Sequence, residues 1–168
     1  MSFEMMPLVD ANVLLAINNA ALPDIGELNS HKAHWLVDHC VLPGLAMLDG
    51  QAAGMVVVLN DSCGYDSDFY RWFTDRYQNF WYIDRIVVTT WARGQGVAKQ
   101  IYQHIDQAAN EKGMALVADV YSEPPNVPSL KLHRTMGFQE VGAQYFPDKK
   151  KTAAKFMKYA ERAQLKSN

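Results

Sequence analysis

The sequence predicts a single α/β domain in which a mixed β-sheet, with parallel strands at its centre, is flanked by helices. Two observations predict this fold. The stretch from Tyr82 to Lys112 runs from a β-favouring segment through a glycine-bearing turn into a helical pattern. A second apolar segment, Leu116 to Tyr121, is followed by a short helical pattern from Val127 to Met136. A strand-helix-strand-helix succession in a chain of 168 residues is typical of one α/β domain.

The composition is that of a globular protein and excludes several functional classes. Hydrophobic residues make up 49% and charged residues 20% of the chain. A net charge of -2 argues against nucleic acid as the partner, and no apolar stretch is long enough to span a membrane. Cys40 and Cys63 fit neither a metal-binding spacing nor a disulfide framework. We therefore expect a cytoplasmic protein.

The N-terminal half should form a strand, two helices and a hairpin. Asp10 follows Pro7 and precedes Val13, which is typical of a helix start. Asp49-Gly50-Gln51 separates two apolar β-type segments and predicts a tight turn. The predicted elements are a strand at Phe3 to Met6, helices after Asp10 and from about Ser30, and hairpin strands at Leu42 to Leu48 and Met55 to Leu59.

The segment from Tyr65 to Phe80 is rich in aromatic residues mixed with charged ones. The rings either pack on the sheet or form an aromatic wall for a ligand, and both can hold for different rings. Further on, strands are expected at Gln139 to Tyr145 and Thr152 to Tyr159, with the lysines between them in a solvated turn. Glu161 to Asn168 reads as a polar tail.

The turn between the central strand and its helix has the features of an anion site. Gly94 and Gly96 precede the helix, so that backbone N–H groups can approach a bulky ligand. The first N–H groups of a helix have no partner inside it and favour a phosphate. The turn is not a Walker A loop, because no Gly-Lys-Ser/Thr follows, and Lys99 replaces the third glycine of a dinucleotide-binding loop.

Two motifs give the chain a family resemblance. Arg93-Gly94-Gln95-Gly96-Val97-Ala98 resembles the acyl-CoA pyrophosphate loop of the GCN5-related N-acetyltransferase (GNAT) superfamily. Downstream, the family pattern Asn-x-x-Ala-x-x-Leu-Tyr-x-Lys-x-Gly-Phe is matched in register by Asn126, Ser129, Leu132, His133, Thr135, Gly137 and Phe138. The chain departs from that pattern where His133 replaces tyrosine, Thr135 lysine and Ser129 alanine.

The resemblance implies a single GNAT-like domain in which successive segments of the chain have different roles. Residues 1–80 would form the acceptor side, 81–138 the acetyl-CoA-binding core, 139–160 a C-terminal strand pair and 161–168 a tail. Acetyl-CoA would be the cosubstrate, and the partner a small-molecule or peptide amine; family members often form homodimers. The residues expected to bind acetyl-CoA are Ile86, Val87, Val88, Arg93, Gly94, Gln95, Gly96, Val97, Ala98, Lys99 and Asn126.

Three residues are candidates for proton transfer. By resemblance His133 lies where tyrosine protonates the leaving thiolate, although it could merely form a hydrogen bond near the cofactor or face solvent. An attacking alkylamine must lose a proton, since its pKa is about 10.4. Asp84, on the face of Ile86 if the strand alternates regularly, is the first candidate base and Glu123 the second. An ion pair is the structural alternative for both carboxylates.

Histidines 31, 34 and 39 lie at intervals that could share a helix face, but no carboxylate or cysteine completes a ligand set, and we predict no metal site. The preferred function is an N-acetyltransferase that transfers an acetyl group from acetyl-CoA to a primary amine by direct attack on the thioester. The alternative is a non-catalytic acyl-CoA-binding or sensing module, which the loss of tyrosine at His133 favours. A nucleotide-binding protein is the third hypothesis.

Overall fold

The computed structural model describes residues 1–161, which form seven strands and five α-helices. The strands are β1 (Phe3–Met6), β2 (Leu45–Leu48), β3 (Gln51–Asn60), β4 (Phe80–Val88), β5 (Ala115–Glu123), β6 (Gln139–Phe146) and β7 (Lys151–Lys158). The helices are α1 (Ala11–Ala20), α2 (Ser30–His39), α3 (Asp68–Thr74), α4 (Val97–Lys112) and α5 (Val127–Thr135). A 3-10 turn, Thr90–Ala92, joins β4 to α4. None of these helices is long and apolar enough to cross a membrane.

All seven strands form one mixed sheet in the order β1-β2-β3-β4-β5-β7-β6. β4 and β5 pair in parallel, and the other neighbours pair antiparallel. Each face of the sheet is covered by its own layer of helices. Val97 and Ile101 of α4 and Leu130 of α5 pack on one face, and Leu14 of α1 and Leu36 of α2 pack on the other. The predicted fold class is therefore confirmed.

The parallel pair opens part of the way along its length. Phe80 to Ile83 of β4 pair with Ala115 to Ala118 of β5, and the pairing stops there. Beyond that point β4 still pairs with β3, and β5 still pairs with β7, but β4 and β5 no longer pair with each other. The facing edges therefore carry backbone N–H and C=O groups without a strand partner.

A β-bulge in β4 coincides with this opening. Val58 pairs with Ile83 and Val57 with Arg85, so that Asp84 is the extra residue. Upstream, Ile83 faces the α4 side and Tyr82 the α1 side, whereas downstream Ile86 faces the α4 side and Val87 the α1 side. The side-chain alternation is thus reversed across the bulge.

The predicted elements are confirmed with small shifts of their ends. β2 begins at Leu45 rather than Leu42, because Pro43 and Gly44 interrupt the apolar segment before it. The aromatic segment contains α3, and the turn Asp49-Gly50 joins β2 to β3 as expected. The predicted tail lies outside the described residues except for Glu161.

Candidate active site

The turn before α4 has the open backbone that an anion site needs. Gly94 and Gly96 adopt φ values of +76° and +79°, which side-chain-bearing residues rarely adopt, and a Cβ at either position would meet nothing within 4 Å. Gly96 is the N-cap of α4, so the first N–H groups of the helix, which lack partners inside it, point out of this turn. The side-chain amide of Gln95 donates a hydrogen bond from Nε2 to the Trp91 carbonyl (3.1 Å) and stabilises the turn.

A cavity of about 300 Å³ lies in the opening between β4 and β5. The expected pantetheine-binding residues Ile86, Val87 and Val88 line it, and so does Arg93, which is exposed at its end. The structure thus brings the predicted strand edge together with the arginine of the loop. Residues 94–99 follow directly in the chain and begin α4.

A larger cavity, of about 590 Å³, adjoins the first one on the α1 side of the sheet. Its walls come from the α1–α2 connection, α2, the start of α3, and the β6–β7 turn. Asp84, Asp119 and Ser129 line both cavities and mark their junction. Asn126 lines the larger cavity, while its side-chain oxygen accepts a hydrogen bond from the Ser129 N–H (3.3 Å) as the N-cap of α5.

Asp84 lies at the junction in an ion pair. Because of the bulge, Asp84 and Arg85 point to the same side of the sheet, and Arg85 Nε donates to Asp84 Oδ2 at 2.7 Å. Both side chains are only 7% exposed. Arg85 Nη1 also donates to Asn18 Oδ1 (2.9 Å) and to the Gly26 carbonyl (3.1 Å). The ion-pair alternative for Asp84 is therefore realised, and Arg85 fastens the α1–α2 connection to the sheet.

Asp119, which the sequence analysis did not single out, is the second carboxylate of the junction. It follows directly after the last residue of β5 that pairs with β4. Its Oδ2 accepts a hydrogen bond from the Tyr82 hydroxyl (3.0 Å), and its Oδ1 forms an ion pair with Lys155 Nζ. Burial raises the pKa of Asp119 to about 6, against the opposing effect of the Lys155 charge.

Lys155 is the strand partner of Asp119 on β7 and is fully buried (0% exposed). Its ammonium group lies in an aromatic cage, with ring centroids 5.3 to 5.9 Å away. The cage consists of Phe69, Trp72, Phe73 and Phe146. Such rings attract a cation through their quadrupoles, so the cage holds the positive charge beside Asp119.

His133 is buried (4% exposed) and lines the smaller cavity. Its Nδ1 lies 2.7 Å from the Ser129 carbonyl, which can only accept, so Nδ1 carries the proton in the neutral ring. Its Nε2 therefore accepts from the Tyr102 hydroxyl, 2.8 Å away. Burial lowers the pKa of His133, which favours the neutral form. In this arrangement the ring has no free N–H for a leaving thiolate.

The remaining candidates lie away from the junction. Glu123 is exposed at the end of β5 and lines neither cavity. His34 and His39 each place Nδ1 on a carbonyl of their own helix (2.8 and 2.7 Å). Within residues 1–161 no group of three metal-binding side chains is found.

The aromatic segment is divided between two roles. Phe73 of α3 and Phe80, the first residue of β4, are fully buried, whereas Tyr65 and Phe69 line the larger cavity. Lys149, expected in a solvated turn, also reaches that cavity, with Nζ 4.8 Å from the Phe69 ring centroid. Some rings of the segment therefore pack in the core and others line a cavity, and the binding of a ligand against them stays a prediction.

The model of the acetyltransferase (GNAT) family matches residues 15–138. No curated protein sequence matches the chain. Among solved structures, Ard1 from Thermoplasma volcanium has a TM-score of 0.71 at 13% identity, with 96% of this chain and 98% of that chain covered. The ribosomal-protein-S18-alanine N-acetyltransferase from Escherichia coli gives 0.70 at 12% identity, covering 96% and 95%. Arabidopsis thaliana NAA60 in complex with acetyl-CoA gives 0.67 at 17% identity, covering 94% and 98%.

Proposed function

Because the chain belongs to the GNAT acetyltransferase family, we propose that it is an N-acetyltransferase that transfers the acetyl group of acetyl-CoA to a primary amine. The amine belongs to a small molecule, an amino acid or a peptide. The observation that carries the proposal is the junction of the two cavities, where an open strand edge on one side meets a carboxylate-lined pocket on the other.

The residues of the smaller cavity suit acetyl-CoA. Its pyrophosphate would lie on the first N–H groups of α4, at Gly94 to Lys99, with Arg93 adding positive charge. Its amide-containing arm would lie along Ile86 to Val88, because a strand edge without a partner can bond an extended chain. Asn126, which lines the larger cavity at the start of α5, would contribute from beyond the junction. Bound there, the cosubstrate supplies an activated acetyl group.

Asp119 is the residue we assign to the proton of the amine. As the new C–N bond forms and the C–S bond breaks, the nitrogen loses a proton and the sulfur gains one. A base with a pKa of about 6 is ionised at neutral pH and can accept the proton at the nitrogen. Asp84, at the same junction, is paired with Arg85 as Asp119 is with Lys155, and it stays a second candidate for this role. Glu123 lies outside both cavities, so we place it behind these two carboxylates.

His133 bears on the alternative function. With Nδ1–H on the Ser129 carbonyl and Nε2 on the Tyr102 hydroxyl, the ring holds no proton for the sulfur. This arrangement favours either thiol protonation by water or a non-catalytic acyl-CoA-binding module. Acetylation of an amine would indicate an enzyme whose thiol is protonated by water, whereas binding without acetylation would indicate the non-catalytic module.

The test is a calorimetric titration with acetyl-CoA, followed by an acetylation assay with a panel of amines. The parent should bind acetyl-CoA, and Gly96→Glu should lose binding while staying folded, because it places bulk and negative charge in the open turn. Gly50→Glu is the matched control, because Gly50 has a similar φ of +78°, has nothing within 4 Å of its Cβ and lines neither cavity. Binding without turnover on any amine would support the binding module, and no binding would refute both functions.

A further inference from the structure

Lys32 is a half-buried charge in the larger cavity, and none of residues 1–161 forms an ion pair with it. It projects from α2, and its Nζ lies 5.3 Å from the centroid of the Tyr65 ring. Within residues 1–161 no carboxylate oxygen lies within 4.0 Å of Nζ. The surrounding cavity therefore contains a cation that no described side chain neutralises through an ion pair.

The other charged residues that line this cavity are either in ion pairs or exposed to solvent. One set consists of carboxylates in ion pairs: Asp66 and Asp68 with Arg71, Asp84 with Arg85, and Asp119 with Lys155. A second set consists of exposed residues: Asp24, Glu27, Asp148 and Lys149. Exposed charges are solvated and screened by salt. Lys32 is thus the half-buried charge of the described cavity lining that has lost part of its solvent without gaining a counterion.

Partial burial of Lys32 has an energetic consequence. Desolvation disfavours a charge, and here burial lowers the pKa of Lys32, while Asp84 acts in the opposite direction from a distance. The Tyr65 ring compensates in part through its quadrupole. An anion delivered by a ligand would compensate more, because hydrogen bonds between charged groups are the strongest of their kind.

The position of Lys32 relates such an anion to the reacting amine. The Tyr65 ring lies under Lys32 Nζ, while the Tyr65 hydroxyl lies beside Asp84, whose charge helps to raise the pKa of Tyr65. One side chain therefore connects the lysine to the junction of the cavities. Lys149, on the β6–β7 turn, lies close enough to affect the charge of Lys32 and supplies a second ammonium group.

We propose that the larger cavity binds an amine that carries an anionic group in the same small molecule, namely a free amino acid, and that Lys32 binds its carboxylate. The inference rests on the proposed function and names its substrate class. The amine lies at the Asp119 junction and the carboxylate on Lys32, with Lys149 as a second contact. A polyamine or the N-terminus of a protein has no such carboxylate beside its reacting amine and is a poorer acceptor.

The experiment compares free amino acids with their amides. The standard L-amino acids are assayed as acceptors with acetyl-CoA, and the best one is then compared with its carboxamide. We expect kcat/KM for the acid to exceed that for the amide by about tenfold or more, the range of a hydrogen bond to a charged group. Lys32→Gln should remove this preference, and Lys32→Arg should keep it. Lys131→Gln, on an exposed lysine outside the cavity, is the matched control.

Two outcomes would overturn the inference. One is equal or better use of the amide by the parent, and the other is a preference that persists in Lys32→Gln. Calorimetric binding of the same acid and amide to the parent and to Lys32→Gln gives a second measurement that does not depend on turnover. If no amine is acetylated, the proposed function fails, and the amino acid that the parent binds most tightly in a calorimetric screen then takes the place of the best acceptor. Equal binding of that acid by Lys32→Gln, or of its amide by the parent, would overturn the role of Lys32.

Discussion

The acetyl-CoA side and the acceptor side of the proposed active site are built in different ways. The acetyl-CoA side uses backbone groups from one continuous segment, the end of β4 and the start of α4. The acceptor side uses side chains from separate elements, such as Asp119 on β5, Lys155 on β7 and Lys32 on α2. A site made of backbone tolerates side-chain changes, whereas a site made of buried charges depends on each partner. Mutations should therefore affect the two sides differently.

Asp119→Asn should give the largest effect on chemistry. An amide of the same shape cannot accept the amine proton, and loss of a general base typically costs about 10²- to 10⁴-fold in rate. Asp119 lies at the junction of the cavities and not in the turn or strand edge proposed to hold acetyl-CoA, so the affinity for acetyl-CoA should change little. Steady-state kinetics and calorimetry measure the two quantities. A rate within threefold of the parent would remove Asp119 from the base role.

The pH dependence of kcat/KM should report the ionisation of the Asp119 carboxylate. Burial raises the pKa of Asp119 to about 6, so the base is ionised above that pH and protonated below it. The rate should fall as the pH decreases through about 6. The charged and titratable neighbours of this group are Tyr82, Asp84 and Lys155. If the slow Asp119→Asn variant keeps the same acid limb, another group is responsible for it.

Lys155→Met tests the charge that supports Asp119. Removing one partner of a buried ion pair leaves the other uncompensated and typically costs about 3–5 kcal/mol of unfolding free energy. The double variant with Asp119→Asn should recover much of this loss, because no buried charge is left alone. Chemical denaturation of the parent, both single variants and the double variant measures the coupling. Additive losses would mean that the pair is not the source of the effect.

Tyr102→Phe and His133→Phe test a buried contact on the other side of the junction. Tyr102→Phe leaves His133 Nε2 without its donor and should cost about 1–3 kcal/mol of unfolding free energy. If His133 has no proton to give, His133→Phe should lower stability but leave kcat close to that of the parent. A loss of kcat without a loss of stability would restore the acid role.

Asn126→Ala should give the smallest effect. The Asn126 side chain caps α5, and loss of an N-cap typically costs about 1 kcal/mol. Asn126→Ser keeps a capping oxygen and should keep most of that stability. If Asn126 also contacts acetyl-CoA, both variants should weaken its binding, and calorimetry separates the cap from the contact.

The difference between a site built from one continuous segment and a site built from separate elements explains what the sequence could predict. The strand, turn and helix around Gly94 and Gly96 follow from local patterns, and so does the family resemblance. Asp119 was missed because its partners, Tyr82 and Lys155, are brought to it by strand pairing. A signal was present, since Asp119 and Lys155 are each an ionisable residue inside an apolar strand, where a charge needs a partner.

Two further differences arise from tertiary structure. The face of Asp84 could not be predicted, since the bulge in β4 depends on the register with β3. His133 was placed correctly on α5, but the partner of its Nε2, the Tyr102 hydroxyl, comes from another helix. Sequence patterns thus predicted the strands, helices and turns, but they did not predict which buried side chains contact one another.

The bulge at Asp84 also constrains how this protein can change during evolution. Regular pairing of the same residues with β3 would turn Ile86 and Val88 from the α4 side to the α1 side. Deleting Asp84 would keep them on the α4 side but would remove the Asp84–Arg85 pair. The length of β4 is therefore expected to stay fixed among descendants of this sequence, while the α1–α2 connection at Asp24 and Glu27, exposed at the mouth of the larger cavity, is free to vary with the acceptor.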